Sequence, residues 1–333
     1  MKLALFNSQS FEEKHFKQTI QEYKNIQIDY FGESLNAKNA VLCAGYDGII
    51  CFVNDKLDAS CLTELSKHGV KVLFLRSAGY NHVDINQARK LSLPVYRVPA
   101  YSPQAVAEHA VALLLTLNRK THKAYLRIRE MNFSLEGLVG YNLNRKTVGI
   151  IGAGKIGRVF AQIISGFGCK ILIADPVPDT KWADGIQARY VPLVELLKSS
   201  DVISIHCPLT PETHHLINHA NIGVLKNGAV LINTSRGSII ETHALISALK
   251  TASLGGAALD VYEFESELFF ADHSSEIIQD ETISRLLSFP NVLVTAHQGF
   301  LTEESLEQIS QITLDNISDF MKNGPESVSE NKL

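Results

Sequence analysis

Three polar side chains stand at or just beyond the ends of predicted strands in the second half of the chain. Arg236 follows the run 230–234, Glu265 ends the segment DVYEFE, and His297 follows the run 292–296. Ligands bind beyond the carboxyl ends of strands in open α/β sheets, so these residues could share a site. Alone, each also fits a structural role, as a surface arginine, an acidic loop residue or a hydrogen-bonded histidine.

Together, the three side chains predict a specific kind of chemistry. Arginine can grip a carboxylate through two parallel hydrogen bonds. Histidine is the side chain best suited to exchange a proton near neutral pH, and a carboxylate beside it would orient the ring and favour its charged form. A nicotinamide cofactor supplies hydride and leaves the proton to the protein. Arg236, Glu265 and His297 therefore predict reduction of a 2-oxo acid.

A glycine-rich stretch earlier in the chain predicts the site of that cofactor. The apolar run 148–151 leads into GAGKIG, and a helix-compatible run follows. This order of strand, glycine turn and helix is the dinucleotide fingerprint. Gly152 would allow the tight turn, Gly154 would let the backbone approach a pyrophosphate, and Gly157 would let helix and strand pack closely. Asp175 ends the next predicted strand about 20 residues on, and such an acid favours NAD over NADP.

The apolar runs that must position these residues alternate with helical patterns in both halves of the chain. This alternation predicts an α/β fold with two doubly wound parallel sheets, the second of the Rossmann type. Predicted strands are 3–6, 26–31, 49–53, 70–75 and 95–98 in the first half, and 148–151, 170–174, 202–206, 230–234, 256–260 and 292–296 in the second. Predicted helices are 10–23, 60–68, 103–131, 155–167, 193–198, 219–225, 242–250 and 303–321, the last of which could return to the first domain.

Composition limits the classes of function. A chain of 333 residues favours about two domains, and a net charge of −4 without a basic block argues against a nucleic-acid partner. Apolar runs are too short to cross a membrane, and no secretory signal is evident. The five cysteines lack a CxxC pair, which suits reduced thiols in a cytoplasmic protein. No metal site is predicted.

Several of these segments together resemble the NAD-dependent D-2-hydroxyacid dehydrogenases. The matching segments are GAGKIG with Asp175, HCPLTPET (206–213), NTSRG (233–237), LDVYEFE (259–265) and HQGF (297–300). The similarity covers nearly the whole chain. Segments 77–84, 98–103 and 132–138 are most similar to members that reduce pyruvate to D-lactate in fermentation.

The resemblance implies a fold and a set of roles. It implies a flavodoxin-like substrate domain, 1–100 with 299–333, and an NAD-binding domain, 101–298, around a cleft, with a homodimer or homotetramer built through the cofactor domain. Arg236 would bind the substrate carboxylate and His297 would be the acid/base. The partner of His297 would be Glu265, the second glutamate of the motif, rather than Glu263, the first. Further implied residues are Ala78 and Gly79 at the carboxylate, Phe52, Tyr101 and Phe300 around the substrate methyl group, and Gly152, Gly154, Lys155, Ile156, Gly157, Asp175, His206, Cys207, Pro208, Thr213, Thr234, Ser235 and Asp260 along the cofactor.

Other functions within the same family stay open. The substrate could be that of a hydroxyisocaproate, glycerate/hydroxypyruvate or phosphoglycerate dehydrogenase. Some relatives are NAD-sensing corepressors that resemble the enzymes at Arg236, Glu265 and His297. Such proteins tend to carry long disordered tails, whereas this chain ends shortly after its last predicted helix. The sequence therefore favours an enzyme that interconverts pyruvate and D-lactate.

Overall fold

The computed structural model describes residues 1–333, apart from the side chains of residues 267 and 326. The chain divides into two compact units, one made of Met1–Ser102 with Leu301–Leu333 and the other of Pro103–Phe300.

The first unit contains a five-stranded parallel sheet. The strand order is β2-β1-β3-β4-β5, which is the flavodoxin-like arrangement. Its elements are β1 (Lys2–Leu5), α1 (Ser10–Thr19), β2 (Gln27–Tyr30), β3 (Gly48–Cys51), α2 (Ala59–Lys67), β4 (Val72–Leu75), α3 (Ile85–Lys90) and β5 (Val95–Tyr96). The five predicted strands are confirmed, and the predicted helix 10–23 ends earlier because a 3₁₀ turn, Ile20–Glu22, follows α1.

The second unit contains a seven-stranded parallel sheet. The strand order is β12-β11-β10-β9-β6-β7-β8, so β6 lies where the order reverses direction. Its strands are β6 (Thr147–Ile151), β7 (Lys170–Ala174), β8 (Ala188–Tyr190), β9 (Val202–Ile205), β10 (Ala229–Asn233), β11 (Leu254–Leu259) and β12 (Val292–Val294). Its helices are α4 (Pro103–Arg119), α5 (Thr121–Arg129), α6 (Lys155–Ser165), α7 (Thr180–Gly185), α8 (Leu193–Ser199), α9 (Thr242–Lys250) and α10 (Glu281–Leu287).

The two parallel sheets confirm the predicted α/β fold. Buried apolar side chains of the strands and helices form core clusters around each sheet. In the second unit one core cluster includes Leu231 and Leu245, and a second includes Ile150 and Phe160. The last helix, α11 (Glu303–Asn323), belongs to the first unit and packs against α1. Its Leu314 and Ile317 join the cluster that contains Phe74.

The predicted single helix over 103–131 is wrong. The chain forms two helices because Lys120 adopts a left-handed backbone conformation with φ 51° between them. α4 buries most of its apolar residues, whereas α5 buries none. The sequence gives no sign of this break, because no proline or glycine lies near Lys120.

The predicted helix over 219–225 is also wrong. Only a 3₁₀ turn forms there, over Ile222–Val224. The side chains of Asn218 and Asn221 each accept a backbone N–H bond, from Ala220 and Asn218 respectively. Such local side-chain bonds compete with a helix. Helices α3, α7 and α10 and strand β8 were not among the predictions.

The cysteines are free thiols, and four of the five are buried. Burial raises the pKa of Cys43 and Cys61 to about 12. Within the described part of the chain, no helix has the length and apolar character that crossing a membrane requires.

Candidate active site

Arg236, Glu265 and His297 follow three neighbouring strands of the second unit. They come after β10, β11 and β12, which lie side by side in the sheet. Because these strands are parallel, their carboxyl ends meet at one edge. The topology therefore delivers all three side chains to the same edge.

The imidazole of His297 is held by Glu265. The Nδ1 atom of His297 lies 2.7 Å from Oε1 of Glu265, and both side chains are about four-fifths buried. The other carboxylate oxygen accepts the backbone N–H of Tyr262 at 2.8 Å. No described residue hydrogen-bonds Nε2 of His297, so this second ring nitrogen is available for a further hydrogen bond.

The backbone of His297 is strained and is fixed by Asp260. Its φ is +52°, a left-handed conformation that costs a non-glycine residue energy. The N–H of His297 donates to the carbonyl of Asp260 at 2.7 Å. The Asp260 carboxylate accepts four more hydrogen bonds, from Thr295 at 2.6 Å, Gly299 at 2.8 Å, Gln298 at 2.9 Å and His109 at 3.1 Å.

Asp260 is ionised in this setting. It is 1% exposed, and burial alone would raise its pKa. The hydrogen bonds from His109 and Thr295 outweigh burial and hold the pKa below its ordinary value. Because an ionised carboxylate only accepts, Nε2 of His109 must carry the proton that it shares with Asp260. The carboxylate thus anchors the loop that presents His297.

Glu263, the alternative carboxylate, is engaged elsewhere. Its Oε1 lies 2.6 Å from Nε2 of His215, and its Oε2 accepts the N–H of Thr242 at 3.0 Å. Burial alone would raise the pKa of Glu263, but its hydrogen bonds with His215 and Thr242 hold that pKa below the ordinary value. The two acids of the motif therefore face different histidines.

Arg236 carries an uncompensated positive charge. Its Nη1 donates to the Ser235 carbonyl at 2.8 Å, and the side chain forms no salt bridge with any described side chain. The next residue, Gly237, packs against the backbone of Tyr262, since a Cβ there would lie 2.1 Å from the Tyr262 carbonyl carbon. This close approach fixes Arg236 relative to the loop that carries Glu265.

The glycine turn has the geometry of a pyrophosphate cradle. Gly152 has φ +93°, and a Cβ there would lie 2.6 Å from the Cys207 nitrogen. A Cβ on Gly157 would lie 2.0 Å from the Gly152 carbonyl oxygen. Gly154, in contrast, is exposed, and no described atom lies within 4 Å of its Cβ position. The turn is therefore closed against the protein and open to a ligand at the N-terminus of α6, where Lys155 and Ile156 begin the helix.

Asp175 braces this turn from the end of β7. Its Oδ2 accepts the N–H of Ala153 at 2.6 Å, and its Oδ1 accepts that of Val177 at 2.8 Å. Carboxylate oxygens have about two acceptor positions each, so both retain capacity for ribose hydroxyls.

The other predicted cofactor residues surround the same edge of the sheet. Ser235 donates to the Cys207 carbonyl at 2.5 Å, and Thr213 donates to the Pro208 carbonyl at 2.6 Å. Burial lowers the pKa of His206 to about 3, so its ring is neutral. The hydroxyl of Thr234 is buried and has no hydrogen-bond partner in the described structure. An unsatisfied buried hydroxyl is a group that a ligand can satisfy, so the residues fit a dinucleotide.

The remaining predicted substrate residues, apart from Phe300, lie in the first unit. The carbonyls of Ala78 and Gly79 accept hydrogen bonds from Arg97 at 3.1 Å and from Ser77 at 2.8 Å. Neither of their N–H groups donates to a described group, so both remain available to a carboxylate. Phe52 is 6% exposed and Tyr101 is half-buried. Phe300, which is 7% exposed, ends the second unit.

Two residues that fix the His297 loop were missed by the sequence analysis. His109 and Thr295 both bond the Asp260 carboxylate, and they bond each other at 3.2 Å. A histidine within the largely apolar helix α4 is the one signal that could have indicated a buried polar partner.

Comparison with known proteins finds relatives that match most of the chain. The sequence profile described as "D-isomer specific 2-hydroxyacid dehydrogenase, NAD binding domain" matches residues 111–299. The chain is 48% identical to 2-hydroxyacid dehydrogenase A of Aspergillus oryzae, covering 96% of this chain and 92% of that protein. It is 47% identical to D-lactate dehydrogenase of Escherichia coli, covering 97% of both chains. A solved structure of pyruvate reductase of Chlamydomonas reinhardtii superposes with a TM-score of 0.91 at 41% identity, covering 97% of both chains.

The profile match and the full-length similarities together confirm the resemblance seen in the sequence. They also confirm NAD as the cofactor, because the matched domain is the NAD-binding domain of the family. The chain belongs to the NAD-dependent D-2-hydroxyacid dehydrogenases, oxidoreductases that act on a CH–OH group.

Proposed function

We propose that the protein is a D-lactate dehydrogenase that reduces pyruvate to D-lactate with NADH, reversibly. The observation that carries the proposal is the His297–Glu265 pair, 2.7 Å apart, beside the unpaired charge of Arg236 on the neighbouring strand end. The similarity to relatives named D-lactate dehydrogenase supports pyruvate as the substrate.

The chain's own residues would hold NAD along the carboxyl edge of the second sheet. Lys155 and Ile156 would offer backbone N–H groups to the pyrophosphate at the start of α6. Asp175 would accept hydrogen bonds from the ribose. His206, Cys207, Pro208, Thr213, Thr234, Ser235 and Asp260 would line the rest of the binding surface. When bound, NADH supplies the hydride.

His297 would manage the proton. During reduction the carbonyl oxygen becomes a hydroxyl, so a group beside it must donate a proton. Imidazolium can donate from Nε2 while Nδ1 stays bonded to Glu265. The negative charge of Glu265 stabilises the imidazolium before transfer and fixes which nitrogen faces the substrate. In the oxidation direction the neutral ring accepts the proton back.

Arg236 would bind the substrate carboxylate with its planar guanidinium and polarise the adjacent carbonyl. The N–H groups of Ala78 and Gly79 would add donors to the same carboxylate. Phe52, Tyr101 and Phe300 would enclose the methyl group and leave little room for a longer chain. These assignments predict a preference for pyruvate over branched 2-oxo acids.

A substrate panel tests the proposal. NADH oxidation is measured with pyruvate, 2-oxobutyrate, 4-methyl-2-oxopentanoate, glyoxylate and hydroxypyruvate, and the lactate product is resolved on a chiral column. We expect pyruvate to give the highest kcat/KM and the product to be D-lactate. A higher kcat/KM for 4-methyl-2-oxopentanoate or hydroxypyruvate would assign the protein to another enzyme of the family. No turnover of any 2-oxo acid, with NADH still bound, would favour a corepressor-like binding role.

We also propose that the enzyme is a homodimer or homotetramer assembled through the second unit. α5 and the segment after it, which we call the arm (121–139), expose a series of apolar side chains. Each is more than half exposed: Tyr125, Leu126, Ile128, Met131, Phe133, Leu135 and Val139. The segment is folded onto itself, since Arg127 donates to the Glu136 carbonyl. Lys120, the residue before the arm, donates to the carbonyls of Gly137 and Val139. Ordered apolar patches of this kind mark interaction surfaces, and a second copy of the arm is the occupant that we propose.

Sedimentation velocity tests the assembly. The wild-type protein should sediment as a dimer or a larger oligomer, and the double variant Phe133→Ser/Leu135→Ser should sediment as a monomer. A wild-type monomer at micromolar concentration would refute the proposal.

We propose in addition that the protein is cytoplasmic, because its five free thiols suit a reducing compartment.

A further inference from the structure

A buried ion pair lies next to the predicted substrate residues of the first unit. Arg76, the residue after β4, is 1% exposed, and its Nη1 is paired with the carboxylate of Glu12 on α1. Its Nη2 donates to the carbonyls of Phe6 at 2.8 Å and Asn7 at 3.3 Å. The guanidinium is therefore held in one orientation from two directions.

The guanidinium lies over the face of Phe52. Its Cζ atom is 4.8 Å from the centre of the ring, within the range of a cation–π contact. The backbone of Phe52 is fixed separately, because its N–H donates to Oδ2 of Asp55 at 2.6 Å. Asp55 is itself tied down by the N–H of Leu35 at 2.7 Å. Backbone and ring of Phe52 are thus held by different charged groups.

Arg76 also begins the segment that contains Ala78 and Gly79. Its backbone N–H donates to the Cys51 carbonyl at 2.9 Å, which joins this segment to the residue before Phe52. Arg76 therefore stands at the start of the segment that carries Ala78 and Gly79, and its guanidinium contacts Phe52, the side chain proposed to limit the size of the substrate.

Stability alone does not explain this arrangement. A buried ion pair gains back its desolvation penalty only with excellent geometry, and apolar replacements are often as stable. A planar cation fixed by hydrogen bonds can instead keep a neighbouring ring in one place.

We propose that Arg76 is a positioning residue that sets the size of 2-oxo acid accepted, by holding the ring of Phe52 while Glu12 orients the guanidinium. The inference rests on the proposed function, because it takes Phe52 to border the substrate methyl group.

Arg76→Lys is the first variant, because it keeps a charge for Glu12 but removes the planar face over Phe52. The measured quantity is the ratio of kcat/KM for pyruvate to that for 4-methyl-2-oxopentanoate. We expect this ratio to fall roughly tenfold, in line with a desolvated cation–π contact, with the NADH dissociation constant unchanged. Leu65→Ala, a core truncation on α2 in the same unit, is the control for lost stability. It should lower Tm and leave the ratio unchanged.

A double-mutant cycle keeps the inference testable if Arg76→Lys folds poorly. Glu12→Gln is the gentler change and should move the ratio in the same direction. With Phe52→Ala already present, either change should have no further effect, because the residue it acts through is gone. A ratio unchanged in folded Arg76→Lys or Glu12→Gln would overturn the inference, as would full effects in the Phe52→Ala background.

The same data separate this inference from the proposed function. If the wild-type protein prefers 4-methyl-2-oxopentanoate, the D-lactate proposal fails. The positioning inference then still stands if Arg76→Lys changes the ratio, and fails if it does not.

Discussion

Oε1 of Glu265 lies 2.7 Å from Nδ1 of His297, whereas Glu263, two residues earlier, lies against His215. The chain turns between the two acids, so that each faces a different histidine. Glu265 also accepts the Tyr262 N–H, which fixes the carboxylate before any substrate binds. The pair is therefore preorganised, as the acid/base role that we propose for it requires.

His297→Ala should lose mainly kcat, by about 10²–10⁴-fold, because the proton donor is gone. The KM for pyruvate should change little. His215→Ala is the matched control, since it removes the histidine that pairs with Glu263. Steady-state kinetics of both variants check the expectation, and an equal loss of kcat in both would refute the assignment.

Arg236→Lys should raise the KM for pyruvate roughly ten- to hundredfold, the range for a lost hydrogen bond to a charged group. An ammonium cannot reproduce the planar fork. NADH affinity, measured by fluorescence titration, should stay the same. Arg189→Lys is the control, an exposed arginine paired with Glu195. An unchanged KM in Arg236→Lys would exclude this arginine as the carboxylate anchor.

Asp175→Ala should narrow the preference for NADH over NADPH, because we propose that the carboxylate binds the ribose hydroxyls of NADH and would repel the phosphate that NADPH carries there. It should also weaken NADH binding, since the Ala153 N–H loses its acceptor in the glycine turn. Asp201→Ala is the control. Asp201 lies directly before β9 and pairs with Lys226, so its loss should leave the preference for NADH over NADPH unchanged. Equal kcat/KM for the two cofactors in the unsubstituted protein would contradict this account.

Gly237→Ala should reduce kcat/KM by about 10²-fold, because a Cβ would meet the Tyr262 backbone at 2.1 Å and separate Arg236 from the Glu265 loop. Gly223→Ala is the control, since no described atom lies within 4 Å of its Cβ position. Circular dichroism establishes that both variants fold. Wild-type activity in Gly237→Ala would show that the spacing of the two loops is not critical.

Sequence reasoning worked where a local pattern determines a local structure. The strand, glycine turn and helix around Gly154 follow from residue types within a dozen positions. β10, the strand ahead of Arg236, is buried along its whole length and so appears as a continuous apolar run. β12, the strand ahead of His297, is only half-buried but is also continuously apolar. Their parallel order brought the two residues to one edge, as expected for such a sheet.

Long-range contacts were beyond that reasoning. The motif offers two acids, and the sequence does not show that Glu263 bonds His215, which lies 48 residues earlier. Asp260 was assigned only to the cofactor, although its carboxylate accepts bonds from His109 and from the His297 loop. The helix break at Lys120 has no local signal, because the residue adopts a conformation that lysine seldom takes.

The pH profile of pyruvate reduction by Glu265→Gln, beside that of Glu263→Gln, tests the central claim most directly. Without the negative charge of Glu265, the imidazolium of His297 is less stable and is lost at lower pH. The account predicts that the basic limb of kcat/KM moves to lower pH in Glu265→Gln and stays in place in Glu263→Gln. A shifted limb in Glu263→Gln with none in Glu265→Gln would contradict it.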